Sequence, residues 1–346
     1  MKMRPLGSTG IEVSELCLGT MTFGNQTPAE EGHAQIEYAF DHGVNFMDTA
    51  EMYPVNPVKA ETVGNTEAII GDWFEKTGRR NDWILATKLT GPSQLVRDGA
   101  PMSPDTMRAA LEGSLKRLKT DVIDLYQLHW PNRGSYGFRQ NWKYDPSKQN
   151  REETLQHMAD MLGALQDEIT RGTIRHIGLS NESAWGLTTW IRVAEKMGGP
   201  RMETVQNEYS LMYRMADTDL AEALINEGAG LLPYSPLGAG LLSGKYQNGA
   251  LPEGSRMAIN GDLGGRKTDR AFLAVDAYLE VAKKFGIDPV HMAFAWSARR
   301  PFVASSIFGA TTMEQLKVAL GASDVELSDE LLAALDETHK KHPFPF

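Results

Sequence analysis

A single cysteine, Cys17, stands in a chain of 346 residues. It has no partner for an internal disulfide, and no cysteine cluster exists to hold zinc. The expected role is a small buried residue before Leu18, because free cysteine is usually buried and inert. The eight histidines include no H-x-x-x-H or H-x-H spacing, so a metal-dependent hydrolase or lyase built on Asp48 and His129 is disfavoured and no metal is expected. No apolar run approaches the roughly 20 residues of a membrane span, and residues 1–10 carry no apolar signal core. Those absences lead to the expectation of a cytoplasmic protein without a membrane partner. Positive charge is also short: 35 Lys and Arg face 45 Asp and Glu, a formal charge of -10. A nucleic-acid backbone is repelled on average, and only a local basic pocket could hold an anion.

What is present is ordinary globular composition, 41% hydrophobic and 23% charged, enough apolar side chain for a sizeable core and unlike disorder, collagen or coiled coil. Short β-rich runs alternate with helical patterns along the whole chain. A hairpin is expected first, its strands at 2–6 and 11–13 around Gly7-Ser8-Thr9-Gly10, in a position to plug something. Eight strands are expected at 16–18, 44–47, 83–86, 122–127, 174–178, 204–206, 230–233 and 303–306. Helices are expected at 33–42, 66–76, Pro104–Leu118, 152–171, 185–197, 217–227, 289–299 and Met313–Leu320. Of these, Pro104–Leu118 is the clearest, with Ser103 as N-cap, Pro104 at the first position and an apolar stripe of Met107, Leu111, Leu115 and Leu118.

Eight strand-helix units over roughly 300 residues make the arithmetic of an α/β fold of the (β/α)8 TIM barrel type, and no G-x-G-x-x-G opens a helix after the first strand. The expectation is one barrel domain over residues 1–346, with an N-terminal β-hairpin (1–13) and two long loops, 131–150 and 238–268, on the C-terminal face. Long ordered loops in compact domains are usually functional.

Asp48, Tyr53, Lys88 and His129 fall at or just beyond the ends of three successive strands, positions that converge on one mouth of a barrel. A buried lysine needs a partner, which Asp48 provides, and an ammonium beside Tyr53 is expected to lower the phenol below its usual value of about 10. Hydride reduction of a carbonyl needs such a set. Negative charge develops on oxygen, and an acid plus a hydrogen-bond donor must neutralise it; Tyr53 and His129 suit those roles.

The segments Asp48-Thr49-Ala50-Glu51-Met52-Tyr53, Ala86-Thr87-Lys88 and Asp124-Leu125-Tyr126-Gln127-Leu128-His129-Trp130 resemble the catalytic segments of the aldo-keto reductases in content, order and relative spacing. The resemblance runs from Leu18-Gly19-Thr20-Met21 to Ser306-Ile307-Phe308-Gly309-Ala310-Thr311-Thr312, and Ala50-Glu51-Met52-Tyr53-Pro54-Val55 looks most like the bacterial Tas-type members. It implies a catalytic tetrad of Tyr53 (general acid), Lys88 and Asp48 (tuning it) and His129 (orienting the carbonyl).

The same resemblance implies a nicotinamide cofactor, NADPH with NADH as the alternative. Ser180, Asn181 and Gln206 would hold the carboxamide and Tyr234 would stack on the ring. Gly19, Thr20 and Met21 would line the site. Ser235, Pro236, Leu237, Gly238, Gly240 and Lys245 would wrap the pyrophosphate, where glycines let backbone N–H groups approach phosphate and a lysine adds charge. Phe308, Gly309, Ala310, Thr311, Thr312 and Gln315 would receive the adenosine 2′-phosphate at a helix N-terminus. Two departures weaken that last site: Ala319 replaces an adenine-binding Asn, and Gln315 stands where relatives carry Arg.

Phe23, Trp130, Tyr136, Phe138, Trp142 and Tyr144 could wall an apolar pocket for a small carbonyl substrate, with some of them facing solvent, and Arg214 is a candidate partner for an anionic one or for a neighbouring carboxylate. A rival reading, also implied by the resemblance, is a non-catalytic NADPH-binding regulatory subunit. A monomer is expected.

Overall fold

The computed structural model describes residues 1–346. Its strands are β1 (Met3–Pro5), β2 (Glu12–Ser14), β3 (Leu16–Gly19), β4 (Phe46–Asp48), β5 (Ile84–Leu89), β6 (Ile123–Leu128), β7 (Ile174–Ser180), β8 (Met202–Gln206), β9 (Gly230–Leu231) and β10 (Ser306–Phe308). All eight expected barrel strands exist, within a few residues of their expected bounds. They form one parallel sheet in the order β10-β3-β4-β5-β6-β7-β8-β9. A parallel bridge from Leu231 to Val303 joins its two edges, and Ile307 N donates to Pro233 O at 2.9 Å. The sheet thereby closes into the (β/α)8 barrel, with the last strand's pairing beginning near the expected position 303.

Alternation along each strand sorts the core into two shells. Cys17, Phe46, Ala86, Leu125, Leu232, Ala304 and Ile307 pack together inside the barrel with Leu6 and Val13 of the hairpin. Leu16, Leu18, Met47, Leu85, Tyr126 and Leu128 belong instead to the larger cluster shared with the helices. The hairpin is fixed at the strand starts, Ser14 N donating to Asn45 Oδ1 at 2.8 Å and Ser8 Oγ to Glu203 Oε2 at 2.7 Å. It plugs the N-terminal end. Burying an apolar side chain such as Leu6 or Leu125 is worth about 1.5–3 kcal/mol, so this end is held by the hydrophobic effect.

The helices are α1 (Ala29–Asp41), α2 (Asn65–Thr77), α3 (Pro104–Leu118), α4 (Arg151–Arg171), α5 (Ala184–Met197), α6 (Leu220–Glu227), α7 (Arg256–Ile259), α8 (Asp269–Phe285), α9 (Pro289–Ala298), α10 (Met313–Leu320) and α11 (Asp329–Lys341). In α3, Ser103 Oγ accepts from Thr106 N while Thr106 Oγ1 accepts from Ser103 N at 2.8 Å, a reciprocal cap that fixes where the helix starts. Lys119, in a left-handed conformation, ends it. Helices α7, α8 and α11 were not expected. The latter two carry clear starts at Thr268 and Ser328, whose hydroxyls accept from Ala271 N and Leu331 N, but a count of one helix per strand has no place for them. No helix is long and apolar enough to cross a membrane.

Candidate active site

Parallel register brings the strand ends to one mouth. Asp48 is the last residue of β4 and pairs in register with Ala86; Lys88 on β5 pairs with Gln127 on β6; His129 follows β6 directly. Gly19 on β3, opposite Asp48, lies against β10, where an added Cβ would stand 2.7 Å from Ile307 Cγ2 and 2.9 Å from Phe308 O. Only glycine fits that contact.

Lys88 is fully buried, and its Nζ donates to Asp48 Oδ2 at 2.6 Å, Thr49 O at 2.7 Å and Tyr53 OH at 3.3 Å. All three ammonium protons are thus accounted for. Although burial works against its charge, Asp48 and Tyr53 oppose that effect and Lys88 lies above its usual value, so it stays cationic. Tyr53 departs from expectation. Burial pushes its phenol up by more than Lys88 pulls it down, because the ring lies out of water and Asp48 opposes the lysine. The group holds its proton until an oxyanion takes it.

His129 is held well below its usual value, by burial first and Lys88 second, and is a neutral imidazole. Its ring meets that of Tyr53 edge-on, centroids 6.0 Å apart, and its Nδ1 has no hydrogen-bond partner. Trp130 lies 4.9 Å from it, and Phe138 packs edge-on against Trp130 at 5.6 Å. Tyr136 sits within 3.5 Å of Asn207. Of the other candidates for the pocket wall, Phe23 is a correction: it is wholly buried and pressed against Gly32 of α1, so it supports the mouth without facing it. Trp142 is 62% exposed with Arg270 over its ring. Arg214 is also spoken for, donating to Asp336 Oδ1 at 2.7 Å and to Leu335 O.

Among the positions that the resemblance gives to a cofactor, Ser180 Oγ donates to Gln206 O at 2.8 Å, Asn181 Nδ2 to His129 O at 2.9 Å, and Tyr234 OH to Asn181 Oδ1 at 2.8 Å. Gln206 differs from its expected use: its amide turns inward and donates to Asp48 Oδ1 at 2.8 Å. Segment 234–245 carries left-handed φ at Ser235, Gly238, Ala239, Gly240 and Gly244, a winding backbone of the kind that cradles anions.

Two groups the sequence reading missed explain how that segment is charged. Glu208 accepts from Arg139 Nη1 at 2.8 Å and Arg266 Nε at 2.7 Å, while Arg139 also donates to Gly264 O and Arg266 Nη2 to Ser235 Oγ at 3.4 Å. One buried carboxylate therefore ties loop 131–150 to loop 238–268. By contrast, Lys245 and Arg256 pair with no carboxylate. Arg256 reaches only Met21 Sδ at 3.5 Å, and burial, with Arg266 nearby, brings it down to about 10. Two uncompensated cations beside a winding, glycine-rich backbone fit an anionic group. No motif marks Glu208 or Arg256; proximity to Gly-rich turns was the one available signal.

At the start of α10, Thr312 caps the helix, and Gln315 Oε1 accepts from Thr311 N at 3.0 Å and Thr311 Oγ1 at 3.1 Å. Glu31 of α1 accepts from Met313 N at 2.9 Å. A carboxylate already uses this helix N-terminus.

Comparison with known proteins places this geometry. The sequence model of the Aldo/keto reductase family matches residues 15–340. The chain is 41% identical to Protein tas of Escherichia coli over all of its own length and 99% of that protein's. It is 33% identical to the uncharacterized oxidoreductase YrpG of Bacillus subtilis, over 97% and 95% of the two chains. Identity is 32% to a probable voltage-gated potassium channel subunit beta of Arabidopsis thaliana, over 94% and 92%. With a closed eight-stranded barrel, a lysine-aspartate-tyrosine cluster at its mouth and matches across nearly the whole chain, the protein belongs to the aldo/keto reductase family.

Proposed function

We propose that the chain, acting as one barrel domain, is a cytoplasmic NADPH-dependent reductase of small aldehydes or ketones. The observation that carries the reading is Lys88 Nζ placed between Asp48 Oδ2 and Tyr53 OH. A bound nicotinamide would supply hydride to the carbonyl carbon. Tyr53 gives its proton to the carbonyl oxygen as charge develops there, and Lys88, held cationic by Asp48, stabilises the phenolate left behind. His129, neutral at physiological pH, orients the oxygen by a hydrogen bond. Trp130, packed beside the His129 ring, covers one side of it, which strengthens these interactions.

Lys245 and Arg256 are the residues that would meet the pyrophosphate, with Thr311, Thr312 and Gln315 at the adenosine end. Two cations left without carboxylate partners offset the repulsion that a charge of -10 exerts on an anionic cofactor. Consumption of NADPH with a panel of aldehydes such as 4-nitrobenzaldehyde, followed at the nicotinamide absorbance and abolished in Tyr53→Phe, tests the reading; tight NADPH binding with no turnover across the panel would replace it by the second reading, a regulatory subunit, which the likeness to the Arabidopsis protein favours.

A further inference from the structure

Lys88 and Tyr53, whose contact carries the reading above, stand on separate segments. Strand β4 ends at Asp48, but the chain beyond it keeps following β5: Thr49 N donates to Ala86 O at 2.9 Å and Glu51 N to Lys88 O at 3.2 Å. There the chain turns, Tyr53 N donating back to Ala50 O at 3.1 Å, and a side chain continues the pairing. Glu51, buried and two residues before Tyr53, accepts through Oε2 from Thr90 N at 3.0 Å, two residues beyond Lys88. Its Oε1 accepts from Arg97 Nη1, and Arg97 Nη2 donates to Thr90 O. A carboxylate and a guanidinium thus take up both the N–H and the C=O of Thr90 and tie the segment of Tyr53 to the segment of Lys88. Both side chains are largely out of water, so removing either leaves a costly unpaired charge. What the tie controls follows from the bonds of Lys88 Nζ, of which the one to Tyr53 OH is the longest, 3.3 Å against 2.6 Å to Asp48 and 2.7 Å to Thr49. It lies at the edge of hydrogen-bond range, and a displacement of about 0.3 Å removes it while the other two survive.

We propose that Glu51, together with Arg97, is the positioning pair that holds Tyr53 OH within reach of Lys88. The inference rests on the reductase reading above. It makes a claim that reading does not: the strength of the acid depends on an ion pair that makes no hydrogen bond to either the phenol or the ammonium.

The test uses Glu51→Gln, which keeps the shape but cannot accept from both Thr90 N and Arg97, and Arg97→Met, which removes the guanidinium. The two change local charge in opposite directions, so an effect of charge on Tyr53 separates them and an effect of position does not. In the full-length protein each should reduce 4-nitrobenzaldehyde with kcat about tenfold lower, less than the roughly 10²–10⁴-fold loss expected without the acid. KM for NADPH should be unchanged, and the double variant should be no slower than the slower single one, since either change already breaks the tie. Oxidation of 4-nitrobenzyl alcohol by NADP+, in which the Tyr53 phenolate takes the hydroxyl proton, gives a readout that a merely structural role does not move. Lys88 pulls the phenol down, so with that contact loosened the rise of rate with pH should move up by about one pH unit, the same tenfold in proton affinity, in both variants. Glu51→Asp keeps the charge, loses the reach and should behave alike; it serves if Arg97→Met does not fold. An unchanged kcat, an unmoved pH profile, opposite pH shifts in the two variants, or NADPH affinity falling in step with kcat overturns the positioning role and leaves the reductase reading intact. A wild-type protein that turns over neither substrate overturns both.

Discussion

The two ends of the barrel are built from the same eight strands on opposite physical principles. At the N-terminal end, Leu6 and Val13 of the hairpin close on Phe46, Leu125 and Leu232, an apolar cluster with no charge in it. Two residues along, at or next to the strand ends, lie buried Asp48, Lys88 and Gln127, a network that takes in Gln206 through hydrogen bonds of 2.6–3.1 Å. Burying charge is unfavourable unless each group is paired, so the mouth is held in one arrangement by satisfaction of donors and acceptors, and the closed end by packing. The difference teaches a division of labour: changes at the closed end should reduce stability and spare the chemistry, and isosteric changes at the mouth should do the reverse.

The largest test of that division is Tyr53→Phe. Loss of a positioned acid costs about 10²–10⁴ in rate, so kcat should fall by that range while NADPH affinity and the melting temperature stay near wild type. A parallel collapse of stability would erase the contrast. At the other end, Leu125→Ala removes a fully buried side chain and should lower unfolding free energy by about 2–5 kcal/mol. Denaturant melts would read this, with kcat per folded molecule unchanged below the transition; a large drop in kcat would show that the ends are coupled.

Glu208→Gln sharpens the comparison within the mouth itself. It leaves Arg139 and Arg266 without their shared charge, so the two long loops should open locally and protease cleavage within 131–150 or 238–268 should accelerate about tenfold, the equivalent of about 1.4 kcal/mol in local opening. Cleavage elsewhere first would refute the latch. A smaller effect is expected of Glu31→Gln, which removes a carboxylate from the α10 N-terminus. The ratio of NADPH to NADH affinity should rise severalfold, within the range of about 0.3–1 kcal/mol for a charge at an exposed helix end; fluorescence titration with both nucleotides would show an unchanged ratio if Glu31 has no part in the preference.

Acid should lower the stability of the fold from the mouth side. Burial depresses His129 at the mouth and His157 on α4, so below about pH 6.5 the unfolded chain takes up protons that the folded chain refuses. Their contribution to stability is therefore complete above that pH and is lost progressively as pH falls below it. Melting temperatures that rise from pH 7 to pH 5.5 would contradict this sign.

How much of this could be read beforehand differs by residue. Asp48, Lys88 and His129 were legible because period-two strands end abruptly in ionisable residues, and parallel register sends such ends to one place. Tyr53 was legible by its spacing from Asp48, but the direction of its proton affinity was not. Lys88 is visible in the sequence as a cation, whereas the loss of water around the phenol, which outweighs it, exists only after folding. Helices α8 and α11 have readable caps at Thr268 and Ser328, but one helix per strand leaves no place for them. Glu208, Arg139 and Arg266 come from three loops separated by 69 and 58 positions, and no local pattern announces that they meet.

The sequence by itself determined the alternation of strands and helices, the barrel and the residues at its mouth, because periodicity, caps and turns are local and repeat along the chain. Only the tertiary structure decided which cations are spent and which stay free. Arg139 and Arg266 are drawn to Glu208, Arg214 to Asp336, and Lys245 and Arg256 to no carboxylate. That assignment depends on which charges burial forces together, and Coulomb energy follows distance in space, not position in the chain.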